Sequence, residues 1–234
     1  MVIIGLILVG MYALTDVAYY SSKMSIEKDI SSPVVLINSI GLNEKINNVS
    51  LSQGVMIDEI SKFPTKGEVI LHGHRTGYGG PFLSLNEVKI GDIVTLEWPG
   101  IGQVNYTVKN STIVPPSHTI PVSNETQRIY LITCDPPGFP TNRLIITADM
   151  SGEGPLNDII VEENPDKIMA LIISLLFLSL GLVLSYFYPI KEHRLFILAT
   201  VLIISGILFF AYFVPFDPDI VGSKISFLNG DFGA

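Results

Sequence analysis

Two long stretches near the C-terminal end carry no charge, residues 168–188 and 195–216. Each supplies about the 20 apolar residues that a helix needs to cross the hydrocarbon core of a bilayer. In lipid a backbone must satisfy its own hydrogen bonds, and a helix does this within one segment. Both stretches therefore read as transmembrane helices. Only Pro189-Ile-Lys-Glu-His-Arg194 separates them, which leaves room for a hairpin turn. Lys191 and Arg194 make that turn basic, and short basic loops stay on the cytoplasmic side.

The N-terminal end adds a third candidate span. Residues 1–14 are uncharged and apolar, and after Thr15 and Asp16 the apolar run resumes through residues 17–20. A cleaved secretory signal opens with a basic stretch and closes with a small-residue cleavage site, and neither is evident here. The segment reads as an uncleaved signal anchor of marginal length. Three spans and an inner basic turn have one consistent arrangement: the first helix leads out, residues 21–166 lie outside the cytoplasm, the second helix returns and the third exits. Lys23 and Lys28 sit on the disfavoured side of the first span, but large loops cross largely regardless of charge. The expected organisation is an anchor over 1–20, a linker over 21–32, a β domain over 33–150 and a second linker over 151–166. Helices over 167–190 and 195–216 follow, joined by a turn at 191–194, and a tail runs from 217 to 234. No ionisable residue interrupts the two C-terminal runs, which counts against a transporter or proton relay. Ser174, Ser179, Gly181 and Ser185 are small enough to form a helix packing face.

Between the spans the pattern changes. Short runs rich in Val, Ile, Leu and Thr, at 33–37, 68–71, 93–98, 103–108, 128–133 and 143–148, are separated by Gly, Pro and Asn. Such runs read as strands, and the domain as mainly β, a single barrel or sandwich with long loops. Two runs end in polar residues that packing does not explain. Val69-Ile-Leu71 leads into His72-Gly-His74-Arg75, and Tyr130-Leu-Ile132 leads into Thr133-Cys134-Asp135-Pro-Pro137. Prolines at 136, 137 and 140 keep the next segment out of a ladder, and Arg143 then opens another apolar strand. Facing ends of adjacent strands lie about 5 Å apart, so Cys134 and Arg143 can serve one site.

Cys134 is the only cysteine, so the outer domain has no internal disulfide. A lone thiol can be a small buried hydrophobe. It can also be a nucleophile, because a nearby imidazolium or guanidinium raises its thiolate population. His74 and Arg143 are the residues able to do this. The histidine can also protonate a leaving amine, and the arginine can hold a substrate or an oxyanion.

The segments Leu71-His-Gly-His-Arg75, Phe82-Leu-Ser-Leu85, Lys89-Ile-Gly-Asp92, Leu131-Ile-Thr-Cys134 and Arg143-Leu-Ile-Ile-Thr-Ala148 resemble, in this order, the signature of sortases. These are cysteine transpeptidases of prokaryotic cell envelopes, and the resemblance runs over residues 33–150. It implies a sortase β-barrel in which Cys134 attacks the carbonyl of a sorting signal near the C terminus of a secreted protein. It further implies His74 as general acid/base, Arg143 as substrate-positioning and oxyanion-stabilising residue, and Thr133 at the substrate-binding wall. An amine, on a cell-wall precursor or on another protein, then resolves the thioacyl enzyme. His118 lies where a loop shapes the substrate groove in that family, although an ordinary solvated histidine fits as well. Two C-terminal spans depart from the usual pattern, and no inhibitory lid is evident in residues 21–32. Two other readings stay open: a cysteine protease with water as acceptor, and a non-catalytic β domain with an inert thiol.

The remaining features carry less. A net charge of −8 with no basic cluster makes nucleic acid an unsuitable partner. Four Asn-x-Ser/Thr sequons, at Asn48, Asn105, Asn110 and Asn124, fit an exposed surface. His72 and His74 form a His-x-His pair able to face a metal from one strand side, but no third ligand stands at a supporting spacing. No metal or other cofactor is expected, with calcium dependence left open. Gly77, Gly79 and Gly80 read as a turn, since no Gly-Lys-Ser/Thr follows as in a phosphate-binding loop. Asp135 and Asp149 read as surface residues and Trp98 as packing.

Overall fold

Eight strands form the middle of the chain: β1 (Val34–Ile37), β2 (Leu42–Asn47), β3 (Val55–Ile57), β4 (Val69–His72), β5 (Ile93–Trp98), β6 (Gly102–Val114), β7 (Arg128–Asp135) and β8 (Asn142–Gly154). They come from a computed structural model that describes residues 1–26, 33–120, 123, 125–138, 141–158, 160, 167–214 and 216–225. Asn124, residues 27–32 and 161–166 of the expected linkers and residues 226–234 of the tail lie outside the described residues. The strands close into a barrel in the order β1-β2-β3-β4-β7-β8-β6-β5, which decides between barrel and sandwich. Closure removes every free sheet edge. The described residues separate into two compact units, this barrel and a helical unit drawn from the two chain ends.

The barrel core follows from the strand period of two. Along β7, Ile129, Leu131 and Thr133 are buried while Tyr130, Ile132 and Cys134 are half-buried, so the first set faces inward and the second outward. Leu71, Phe82, Leu85, Leu96, Tyr106 and Ile146 complete the interior, each with no exposed surface. Two strands are absent from the sequence reading. β2 alternates cleanly, but one of its buried positions is Glu44, which breaks the apolar pattern, and β3 has three residues. β6 and β8 run longer than their apolar stretches, to 13 residues each. Their mutual pairing extends the ladder, with register shifts at Asn105/Tyr106 and Val108/Asn110.

The helical unit contains α1 (Val2–Ile26), α2 (Lys167–Phe187), α3 (Lys191–Phe213) and α4 (Asp219–Ile225). Among the described residues three helices are long and apolar enough to cross a membrane, over Val2–Ser21, Lys167–Phe187 and Lys191–Phe213. The first helix runs six residues past the expected anchor, and residues 191–194 form the first turn of α3 rather than a separate loop. Ser174, Gly181 and Ser185 face inward in one stripe with Ala170 and Phe177, whereas Ser179 is exposed. The stripe advances by three or four residues, and position 179 falls out of that phase. A Cβ at Gly181 would stand 2.5 Å from Val201 Cγ1, so only glycine permits the closeness of α2 and α3 there.

Candidate active site

Two strands that run parallel present their ends on the same side of a sheet, and β4 and β7 are such a pair. Their register places Val69 opposite Ile129 and His72 opposite Ile132. The pairing continues beyond the strand, because the Gly73 N–H donates to the Ile132 carbonyl at 3.1 Å. The Thr133 hydroxyl then donates to the Gly73 carbonyl at 2.8 Å. His74 and Cys134 each follow two residues after the last pair, His72 with Ile132, on neighbouring chain segments. On the other side of β7 the antiparallel partner of Cys134 is Arg143. Partners in such a pair project to the same face. The structure therefore brings His74, Cys134 and Arg143 to one end of three adjacent strands, all three half-buried.

Thr133 points the other way. It is 3 % exposed, and its bond to Gly73 fixes the histidine-bearing strand end against the cysteine-bearing one. Gly73 itself has no room for a side chain, as a Cβ there would stand 2.6 Å from the buried ring of Phe82. His118 is exposed, four residues after Val114, the residue paired with Arg143. The Arg143 guanidinium reaches the carbonyl of its neighbour Asn142 at 3.3 Å.

Sequence reasoning missed Arg75. Its guanidinium is 5 % exposed and donates from Nη1 to the Cys134 carbonyl at 3.2 Å and to the Asp135 carboxylate. The Nε points at the Leu83 carbonyl, 3.5 Å away. The residue after the candidate base thus holds both the carbonyl of the candidate nucleophile and the side chain after it. Asp135 is accordingly the partner of a buried cation rather than a plain surface residue. The adjacency of His74-Arg75 and Cys134-Asp135 was visible in the chain, but nothing local marks their pairing.

His72 and His74 each have a neighbour of their own. The His72 imidazole lies 2.8 Å from the Asp58 carboxylate, while the His74 ring packs on the ring of Tyr78 with centroids 4.9 Å apart. Burial pushes the Asp58 carboxyl up, but the Ile60 N–H and the His72 imidazole outweigh it and hold the group below its ordinary value. Among the described residues no group of three or more His, Cys, Asp or Glu side chains converges as a metal site would require. At the far end of β7, Arg128 pairs with Asp149 at 2.6 Å beside an open cleft lined by Glu125, Gln127 and Ser151. Six residues of strand separate that end from Cys134, roughly 20 Å.

Compared with known families, the chain matches the Sortase domain over residues 26–151, more than half its length. No curated protein matches it. Among solved structures it is similar to a lid mutant of sortase A from Corynebacterium diphtheriae, at 23% identity and a TM-score of 0.49, over 54% of this chain and 73% of that one. It is also similar to sortase C-1 from Actinomyces oris, at 26% identity and a TM-score of 0.48, over 53% of this chain and 76% of that one. The complex of Streptococcus agalactiae sortase C1 with MTSET matches at 23% identity and a TM-score of 0.48, over 53% and 70% of the two chains.

Proposed function

Since the chain belongs to the sortase family, we propose that it is a membrane-held cysteine transpeptidase acting on secreted proteins that end in a sorting signal. The Cys134 thiolate attacks the scissile carbonyl, with Arg143 holding the substrate and the charge that develops on its oxygen. As the C–N bond breaks, His74 gives a proton to the departing amine, and a thioester on Cys134 remains. An incoming amine, on a wall precursor or another protein, loses its proton to His74 and takes the acyl group. The thiolate then leaves, and none of these steps calls for a redox or organic cofactor.

The supporting observation is the register: Cys134 and Arg143 are direct partners across β7 and β8, and residues 74 and 134 each stand two positions beyond the last β4–β7 pair, His72 with Ile132. Arg75 serves this arrangement by tying the two catalytic strand ends, and Thr133 keeps their register. The barrel works on the outer side of the bilayer, with the 191–194 turn inside.

The test uses the full-length chain in native membranes. Envelope extract is incubated with it, and the peptide carrying Cys134 is sequenced by mass spectrometry for a covalent acyl adduct. The adduct should disappear on adding an amine such as triglycine, with a matching ligated product. Cys134→Ala, His74→Ala and Arg143→Ala should each cut product formation by at least about 100-fold while the barrel still folds. Retained activity in Cys134→Ala overturns the proposal. A product released without the amine points to hydrolysis.

A further inference from the structure

Tyr78 is the one residue in its loop whose backbone and side chain conflict. Gly77, Tyr78, Gly79 and Gly80 have φ values of 72°, 47°, 71° and 56°, a run of four left-handed residues. Glycine takes that conformation readily. A residue with a Cβ is strained there, and such strain persists only where the surroundings enforce it. The loop is closed by the Gly80 N–H donating to the Gly77 carbonyl at 2.9 Å and the Phe82 N–H donating to the His74 carbonyl at 3.0 Å. Glycine at position 78 would satisfy this backbone at lower cost. What a glycine could not supply is the ring. The Tyr78 ring lies on the His74 imidazole, centroids 4.9 Å apart and planes 31° from parallel, and the residue is 9 % exposed.

We infer that Tyr78 is a positioning residue for the candidate base: its ring, held by the left-handed glycine turn, fixes the plane of the His74 imidazole and shields one face of it from water. A half-buried imidazole at the end of a strand has two torsions to settle, and proton transfer to a group on Cys134 needs one ring nitrogen aimed at it. A second ring packed on its face removes the orientations that turn that nitrogen away. The strained backbone is retained because the contact depends on it. This inference rests on the reading of His74 as partner of Cys134, and the test separates the two.

Cys134 is the only cysteine, so iodoacetamide alkylation of the full-length chain in detergent reports on this thiol without knowledge of the substrate. The rate is measured from pH 5 to 9 for the parent chain, His74→Ala, Tyr78→Phe, Tyr78→Leu and Tyr78→Gly. A thiol influenced by an imidazole shows a histidine-dependent profile. Tyr78→Phe keeps the ring and should retain the parent profile. Tyr78→Leu and Tyr78→Gly should each lower the rate near pH 6.5 about tenfold, toward that of His74→Ala. Tyr78→Gly suits the left-handed backbone, so it guards against a folding defect in the leucine variant. If His74→Ala leaves the profile unchanged, the pairing of residues 74 and 134 is wrong. If His74→Ala changes it while both Tyr78→Leu and Tyr78→Gly match the parent, Tyr78 is only packing and the inference is overturned.

Discussion

Burial alone would raise the carboxyl of Asp58, yet the Ile60 N–H and the His72 imidazole bring it below its ordinary 3.8. A carboxyl whose folded value lies under its unfolded one stabilises the fold while ionised. That contribution is complete above about pH 4 and is lost as pH falls through the lowered value. Asp58→Asn should therefore cost about 1 kcal/mol or less at pH 6, since both side chains are about a third exposed, and the gap should narrow as pH falls below the ordinary carboxyl value. Trp98 is the only tryptophan and is 8 % exposed within the barrel, so its fluorescence during denaturant unfolding reads this unit. A gap that stays constant with pH would show that ionisation of Asp58 is not the source. The same pair explains why the His-x-His pattern was ambiguous in the sequence. Strand alternation is visible along a chain, but the carboxylate 14 residues away that engages His72 is not.

Strand ends are where elements of this barrel turn chemical, and Arg75 decides how firmly two of them are joined. It ties the end of β4 to the end of β7, with 5 % exposure on its own side chain and 20 % on that of Asp135. Removing one partner of a buried ion pair leaves the other charge uncompensated. Arg75→Ala should thus cost on the order of 2–4 kcal/mol, somewhat below the fully buried case because Asp135 keeps some water. Arg128→Ala is the control at the other end of β7. Its pair with Asp149 is 33 % and 40 % exposed and should cost less than about 1 kcal/mol. Trp98 unfolding curves compare the two, and equal losses would contradict the clamp. Legibility varied among the elements for physical reasons. β5 was read with its observed ends, because apolar and turn residues bound it sharply. β2 escaped because the buried carboxylate of Glu44 hides its period.

For the molecule as a whole, the three apolar helices and the barrel make a labelling experiment decisive for orientation. Ile90→Cys in a Cys134→Ala background puts a thiol at a position that is 75 % exposed. A membrane-impermeant maleimide should label it in intact cells. A thiol at His193→Cys, at the start of α3, should be labelled only after permeabilisation. The reverse pattern would invert the proposed arrangement. Length and hydropathy located from the sequence alone the helices that are long and apolar enough to cross a membrane, because the bilayer imposes its thickness on any segment that crosses it. Apolar runs and turn residues likewise announced a β domain, and the order of the His, Cys and Arg motifs announced its family. Only the tertiary structure decided that β4 lies parallel beside β7, that Arg75 reaches a carbonyl 59 positions away, and that a strained tyrosine covers the histidine. Those are choices of partner across the chain. They are made by burial of the whole core and satisfaction of its polar groups, and no local pattern of residues records them.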